Sequence, residues 1–265
     1  MMRTRNPLIL YRNENEIAKI RDLVVSRYEK NCKEREIERF EYDLTRPENR
    51  LKVFVLGIFF NCEFHEKKAL DIFREMDKKG YLRLEELDNF ENNLKTTIRS
   101  LERRTGRSHN ILRTQDIIDS VIVAKDLFSQ DGDIVKLYKK NDPKKFVEYL
   151  YSRLSGIKVK LFWICRELRD LLKIPREFCY VPDRHVVRFL WNMKAISREG
   201  NLSLDDCFKL SKWMSLHLDN EYFDLPFMRF HQEKCKNQIG CSCEIGNCRF
   251  NQRVSNTRLL QSESS

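Results

Sequence analysis

Residues 153–172 read RLSGIKVKLFWICRELRDLL. Leu161, Ile164, Cys165 and Leu168 recur at helical spacing after a turn centred on Gly156, and the residues before Arg153 carry a helical pattern of their own. The stretch therefore predicts a helix over 143–153, a hairpin, and a second helix, together spanning about 150–172. Downstream, residues 180–191 read YVPDRHVVRFLW. Pro182 holds Val181 extended, and Asp183 stands where an N-cap would open another helix.

Working back toward the N-terminus, Ile17, Ile20, Val24 and Tyr28 mark an amphipathic helix over 14–31. A charged connection at 33–50 leads to the most apolar stretch, Leu51 to Phe60, which reads as a buried helix. After a polar break at Asn61 to Glu63, Ala69, Leu70, Phe73 and Met76 form the stripe of the next one. Further helices are expected over 84–101 and 108–128, with Gly80, Gly106 and Gly132 between the helices as terminators.

Composition agrees with an all-α chain. Only 8 Gly and 6 Pro among 265 residues leave little material for the many tight turns of an all-β protein. With 41% hydrophobic residues the chain can bury a core, so it is not a disordered polyelectrolyte. The longest apolar run, Val53 to Phe60, is far short of the roughly 18 residues a membrane helix needs, and the N-terminus lacks the apolar segment of a signal peptide. A soluble, cytoplasmic protein is the expectation. Fifty Lys and Arg against 40 Asp and Glu give a net charge of +10, which suits a polyanionic partner.

In a reducing compartment the nine cysteines should be thiols or metal ligands. Cys235, Cys241, Cys243 and Cys248 cluster as C-x5-C-x-C-x4-C. Four thiolates so close can hold zinc or a [4Fe–4S] cluster, and the intervals alone do not choose. His231 is a substitute ligand by position, and Lys234, Lys236, Arg249 and Arg253 surround the group. Cys32, Cys62, Cys165, Cys179 and Cys207 read as packing thiols.

LSGIKVK at 154–160 resembles, without a gap, the LPGVGRK hairpin of the helix-hairpin-helix DNA glycosylases of the endonuclease III superfamily. VPDRHVVRFL at 181–190 resembles their V-D-x-H-V-x-R segment, with one residue between Val181 and Asp183. FVLGIFFNCEFHEKKA at 54–69 is similar to the first barrel helix and its DNA-wedging loop, and residues 106–128 to the central helix. The VPDRHVV segment also resembles the archaeal 8-oxoguanine glycosylases, which carry the same lysine and aspartate and generally lack a cluster. Lys158 departs from the hairpin pattern, standing at its second glycine. It could distort the phosphate contact there or add a charge to it.

The resemblance implies a two-lobed fold, with a helical barrel over 44–177 and a second lobe from 1–43 and 178–265 carrying the aspartate and the cysteine cluster. It implies a monomeric DNA glycosylase with AP-lyase activity in base excision repair, acting on double-stranded DNA that holds a damaged base or an abasic site, and nucleoid-associated in a prokaryote. Lys160 would be the Schiff-base nucleophile and Asp183 the carboxylate that stabilises the sugar cation. Gly156, Ile157 and Lys158 of the hairpin, with Phe60 and Asn61 of the wedge region, would contact DNA; Phe60 is also open to a core role. Family position favours the [4Fe–4S] cluster over zinc, although each cysteine interval is one residue shorter here. Two rivals remain: a non-catalytic helix-hairpin-helix DNA-binding module, and a lyase that acts only on existing abasic sites.

Overall fold

A computed structural model describes residues 8–10, 42–60, 66–108, 114–129, 134–139, 141–154, 157, 159–218 and 224. These residues are helical apart from their connections, and the pairing among them that resembles a sheet is one isolated antiparallel bridge between Leu10 and Ile196. The chain is all-α. It divides into two compact units, Arg39–Cys179 and Met1–Glu38 with Tyr180–Ser265; the sequence had placed these boundaries at 43/44 and 177/178.

The first unit is built around helix α1 (Pro47–Phe60). Pro47 occupies its first turn, where a missing N–H costs nothing, and Glu48 faces the positive end of the dipole. From Asn49 onward no residue of α1 is exposed. A helix apolar on every side must be covered on every side, and α1 packs against α2 (Glu66–Lys78), α4 (Thr114–Ser129) and α7 (Lys160–Glu167). Phe59 meets Phe73 of α2 and Phe90 of α3 (Phe90–Thr105) edge-on, at centroid distances of 6.2 and 6.3 Å. The buried Arg50 turns its guanidinium back to the carbonyls of Leu44 and Thr45, both at 3.0 Å, and so fastens the turn that feeds the helix.

The expected single helix over 84–101 is two elements. Leu84–Asn89 is a 3-10 helix and α3 follows it. The reason lies in spacing: Leu84, Leu87 and Phe90 recur every three residues, the period of a 3-10 turn, before the pattern relaxes to Leu94 and Leu101. Gly106 ends α3 at φ 64°, with its N–H on the Glu102 carbonyl. Helix α5 (Ile134–Lys139), absent from the sequence reading, leads to α6 (Pro143–Arg153), which Asp142 caps by accepting from the Lys145 N–H at 2.9 Å. The helix expected to run on to 172 breaks at Leu168, leaving α7 and the short α8 (Arg169–Leu172).

The second unit packs α9 (Arg184–Asn192) and α10 (Leu204–His217) around Val186, Phe189, Leu190, Leu210, Trp213 and Met214. Ser203 caps α10 through the Asp206 N–H, and the Asp206 carboxylate pairs with Arg198. Tyr180 threads this core, donating its N–H to Ser211 Oγ at 3.2 Å and its hydroxyl to the Leu218 carbonyl. The N-terminal stretch joins it: Ser197 N–H donates to the Ile9 carbonyl at 2.9 Å, and Ile9 N–H to Ser197 Oγ at 2.8 Å. No helix among the described residues is long and apolar enough to cross a membrane.

The crossing of α1 and α7 depends on Gly57. A Cβ placed there would lie 2.5 Å from Ile164 Cγ1 and 2.9 Å from Ile164 Cδ1. Gly57→Ala should gain roughly 1 kcal/mol of helix propensity and still destabilise the protein by about 1–3 kcal/mol through overpacking. Chemical denaturation measures this; an unchanged unfolding midpoint would mean that the two helices re-space freely.

Candidate active site

Helix α6 ends in Leu154, whose extended backbone carries the chain out of the helix. Ile157 then plugs into the core at 2% exposure, so this hairpin residue can offer DNA only its backbone. Val159 occupies the N-cap of α7 and has no side-chain oxygen to bond the first-turn N–H groups. Lys160 is the first residue of the helix.

Residues Leu161 to Glu167 are all buried. Lys160 is half-buried, the one residue of α7 that is not wholly enclosed. The charged residues at the other end are treated differently: Arg166, 1% exposed, sets its Nε 3.3 Å from Glu167 Oε1, so the buried guanidinium and carboxylate compensate each other. Helix α7 is thus a sealed core element with a lysine at its open end. Such an arrangement holds an amine in place at a surface without the freedom of an ordinary surface lysine.

Asp183 belongs to the second unit. Its backbone, at φ −72° and ψ 171°, is the non-helical conformation of an N-cap, and its Oδ1 accepts from the N–H groups of His185 and Val186, each at 2.9 Å. The Asp183 carbonyl accepts from Val187 N–H and its own N–H donates to the Val181 carbonyl. Pro182 forces the extended entry that makes this geometry possible. The carboxylate, only 8% exposed, is therefore fixed in direction by the helix it starts. Lys160 and Asp183 are each built into a helix start within their own unit.

Phe60, the last residue of α1, packs its half-buried ring edge-on against Trp163 of α7, 5.1 Å between centroids. This is a packing contact within the first unit. Asn61, Gly156 and Lys158 lie outside the described residues, as do His231 and the four clustered cysteines Cys235, Cys241, Cys243 and Cys248. Among the described residues no group of three or more His, Cys, Asp or Glu is placed to hold a metal ion. Cys165, Cys179 and Cys207 are buried free thiols. Burial, reinforced by Cys179, pushes the Cys165 thiol well up, and burial with the neighbouring Asp206 pushes Cys207 up to about 12. Neither is a nucleophile near neutral pH. Trp163 went unread as a site residue in the sequence, although an aromatic residue three places after a candidate nucleophile shares its helix face.

Two outcomes follow from this geometry. Asp183→Ala should cost about 1 kcal/mol by losing the cap, whereas Asp183→Asn, an equally good cap, should unfold within a few tenths of a kcal/mol of the parent; equal losses in thermal or denaturant unfolding would remove the cap's role. For Cys207 the folded thiol stays protonated after the unfolded one, at its ordinary 9.0, has ionised. Its contribution to stability is complete below pH 9 and shrinks as pH rises from there toward 12. Cys207→Ala should flatten that alkaline fall in denaturant titrations, and an unaltered slope would reject the assignment. Comparison with known proteins finds no matching family model, curated protein or solved structure.

Proposed function

We propose that the chain is a DNA glycosylase with abasic-site lyase activity, of the helix-hairpin-helix type that its 154–160 and 181–190 segments resemble. The observation that carries the reading is the burial pattern of α7: a helix enclosed along its whole length except at Lys160, its first residue. Asp183, a buried carboxylate with its orientation set by two backbone N–H groups, supplies the second function the chemistry requires. A net charge of +10 supports the choice of a polyanion as substrate.

In the proposed reaction the damaged nucleotide leaves the stack. Asp183 stabilises positive charge on the sugar as the C1′–N bond lengthens, and the bonding pair departs with the base, which takes up a proton. The unprotonated Lys160 amine adds to C1′ and, after ring opening, forms an iminium. Loss of a C2′ proton then expels the 3′ phosphate oxygen and nicks the strand. Cys235, Cys241, Cys243 and Cys248 form a thiolate set whose chemistry suits a [4Fe–4S] cluster or zinc in a structural role.

Borohydride trapping tests the reading on duplexes bearing an abasic site, 8-oxoguanine, thymine glycol or uracil. The protein should form a covalent adduct that Lys160→Gln abolishes. Asp183→Asn, which keeps the cap, should slow base release by about 100-fold or more while duplex binding persists. An adduct retained in Lys160→Gln removes that lysine from its role. Binding to every duplex with no adduct and no base release would replace the enzyme with a DNA-binding module.

A further inference from the structure

Three residues past Lys160, and so on the same face of α7, lies Trp163. Its side chain is 5% exposed and its indole N–H is buried with no acceptor. The indole is a donor only, so it cannot be satisfied by turning over. What surrounds it is apolar: the Cε3 corner lies at the α1 crossing, 3.2 Å from where a Gly57 Cβ would be, and the half-buried Phe60 ring meets it edge-on. Nε1 belongs to the opposite side of the indole from Cε3 and takes no part in the Gly57 contact. Trp213 also keeps an unpartnered Nε1, but it stands inside the second unit's core, on a helix with no candidate nucleophile.

We infer that Trp163 is a specificity-determining residue, whose indole N–H donates to an exocyclic carbonyl oxygen of the extruded base. The inference rests on the glycosylase reading and names the substrate class for it. The donor is recessed, so its acceptor must project beyond the ring; a carbonyl oxygen does, whereas a ring nitrogen lies flush with the base edge. Phe60, at the rim, offers the ring surface against which a flat base can lie. Bases that carry a carbonyl, such as 8-oxoguanine, thymine glycol and uracil, fit this donor. Ethenoadenine and methylated adenine, which have none, leave the N–H unsatisfied and are poor substrates.

The test measures base release and nicking of a preformed abasic site on the same protein, across duplexes carrying each of these bases. Release should be confined to the carbonyl-bearing bases. In Trp163→Phe the ratio of base release to abasic-site nicking should fall about ten- to hundredfold, the value of a buried hydrogen bond lost. If the phenylalanine variant fails to fold, benzothienylalanine installed at position 163 keeps the bicyclic ring, removes the N–H and should give the same fall. An unchanged ratio in a folded variant overturns the inference, as does efficient release of ethenoadenine by the parent protein. A parent that nicks abasic DNA and releases no base also overturns it, while leaving the lyase role of Lys160 standing. A parent that does neither overturns the glycosylase reading itself.

Discussion

Helix α1 has no polar face beyond its first two residues, and the first unit is organised by the need to cover it. An amphipathic helix lies on a core; a helix enclosed all round is the core, and its neighbours take their places from it. Helix α7 is the second such element, and the two meet where Gly57 lets Ile164 approach the α1 backbone. Close packing at that crossing leaves α7 no freedom to slide or roll without opening voids. Lys160 inherits this rigidity, because it is one turn from Ile164 on a helix that is otherwise interior. The constraint that makes the fold thus also fixes the candidate nucleophile.

Asp183 illustrates a different economy. Its Oδ1 bonds to the N–H groups of His185 and Val186 organise a helix terminus that any well-capped helix could have, so the carboxylate would be explicable with no function at all. What distinguishes it is burial, since caps ordinarily lie at the surface while Asp183 is 8% exposed. Burying a carboxylate requires compensation, and the two N–H groups supply part of it. Asparagine can make the same cap without the charge. Structure and reaction therefore place separable demands on this position: the fold needs an oxygen acceptor, whereas a developing sugar cation needs a negative one.

Much of this was legible in the sequence because it is local. The Asp142-Pro143 start of α6, the stop at Gly106, and the Val-Pro-Asp entry to α9 each state their geometry in two or three residues. The apolar run at 51–60 announces a buried helix in the same way. Helix α10 was missed although Ser203, Asp205 and Asp206 form a strong start, because its buried face includes Cys207 and Ser211 and so dilutes the apolar stripe. The pairing of Leu10 with Ile196 was invisible for another reason: it joins residues far apart in the chain, and no local pattern encodes it. The 3-10 segment at 84–89 was misread as α because periods of 3.0 and 3.6 are hard to separate over six residues.

The polar groups of α7 show why the candidate site, unlike the fold, needed coordinates. Sequence displays Lys160, Trp163, Arg166 and Glu167 as four polar or amphipathic residues on one helix, with nothing to rank them. In the structure their circumstances diverge along its length. Arg166 and Glu167 are buried deep and compensate each other; Lys160 is partly open at the end; Trp163 is enclosed with its donor unmet. An unmet buried donor costs about 1–3 kcal/mol, a sizeable share of the roughly 5–15 kcal/mol that holds a domain together. Selection for stability alone would remove it, since phenylalanine would fill much of the same space without a polar atom. Its position one turn from the open lysine, beneath the half-buried Phe60, is where a polar group left unsatisfied in the free protein can serve a ligand.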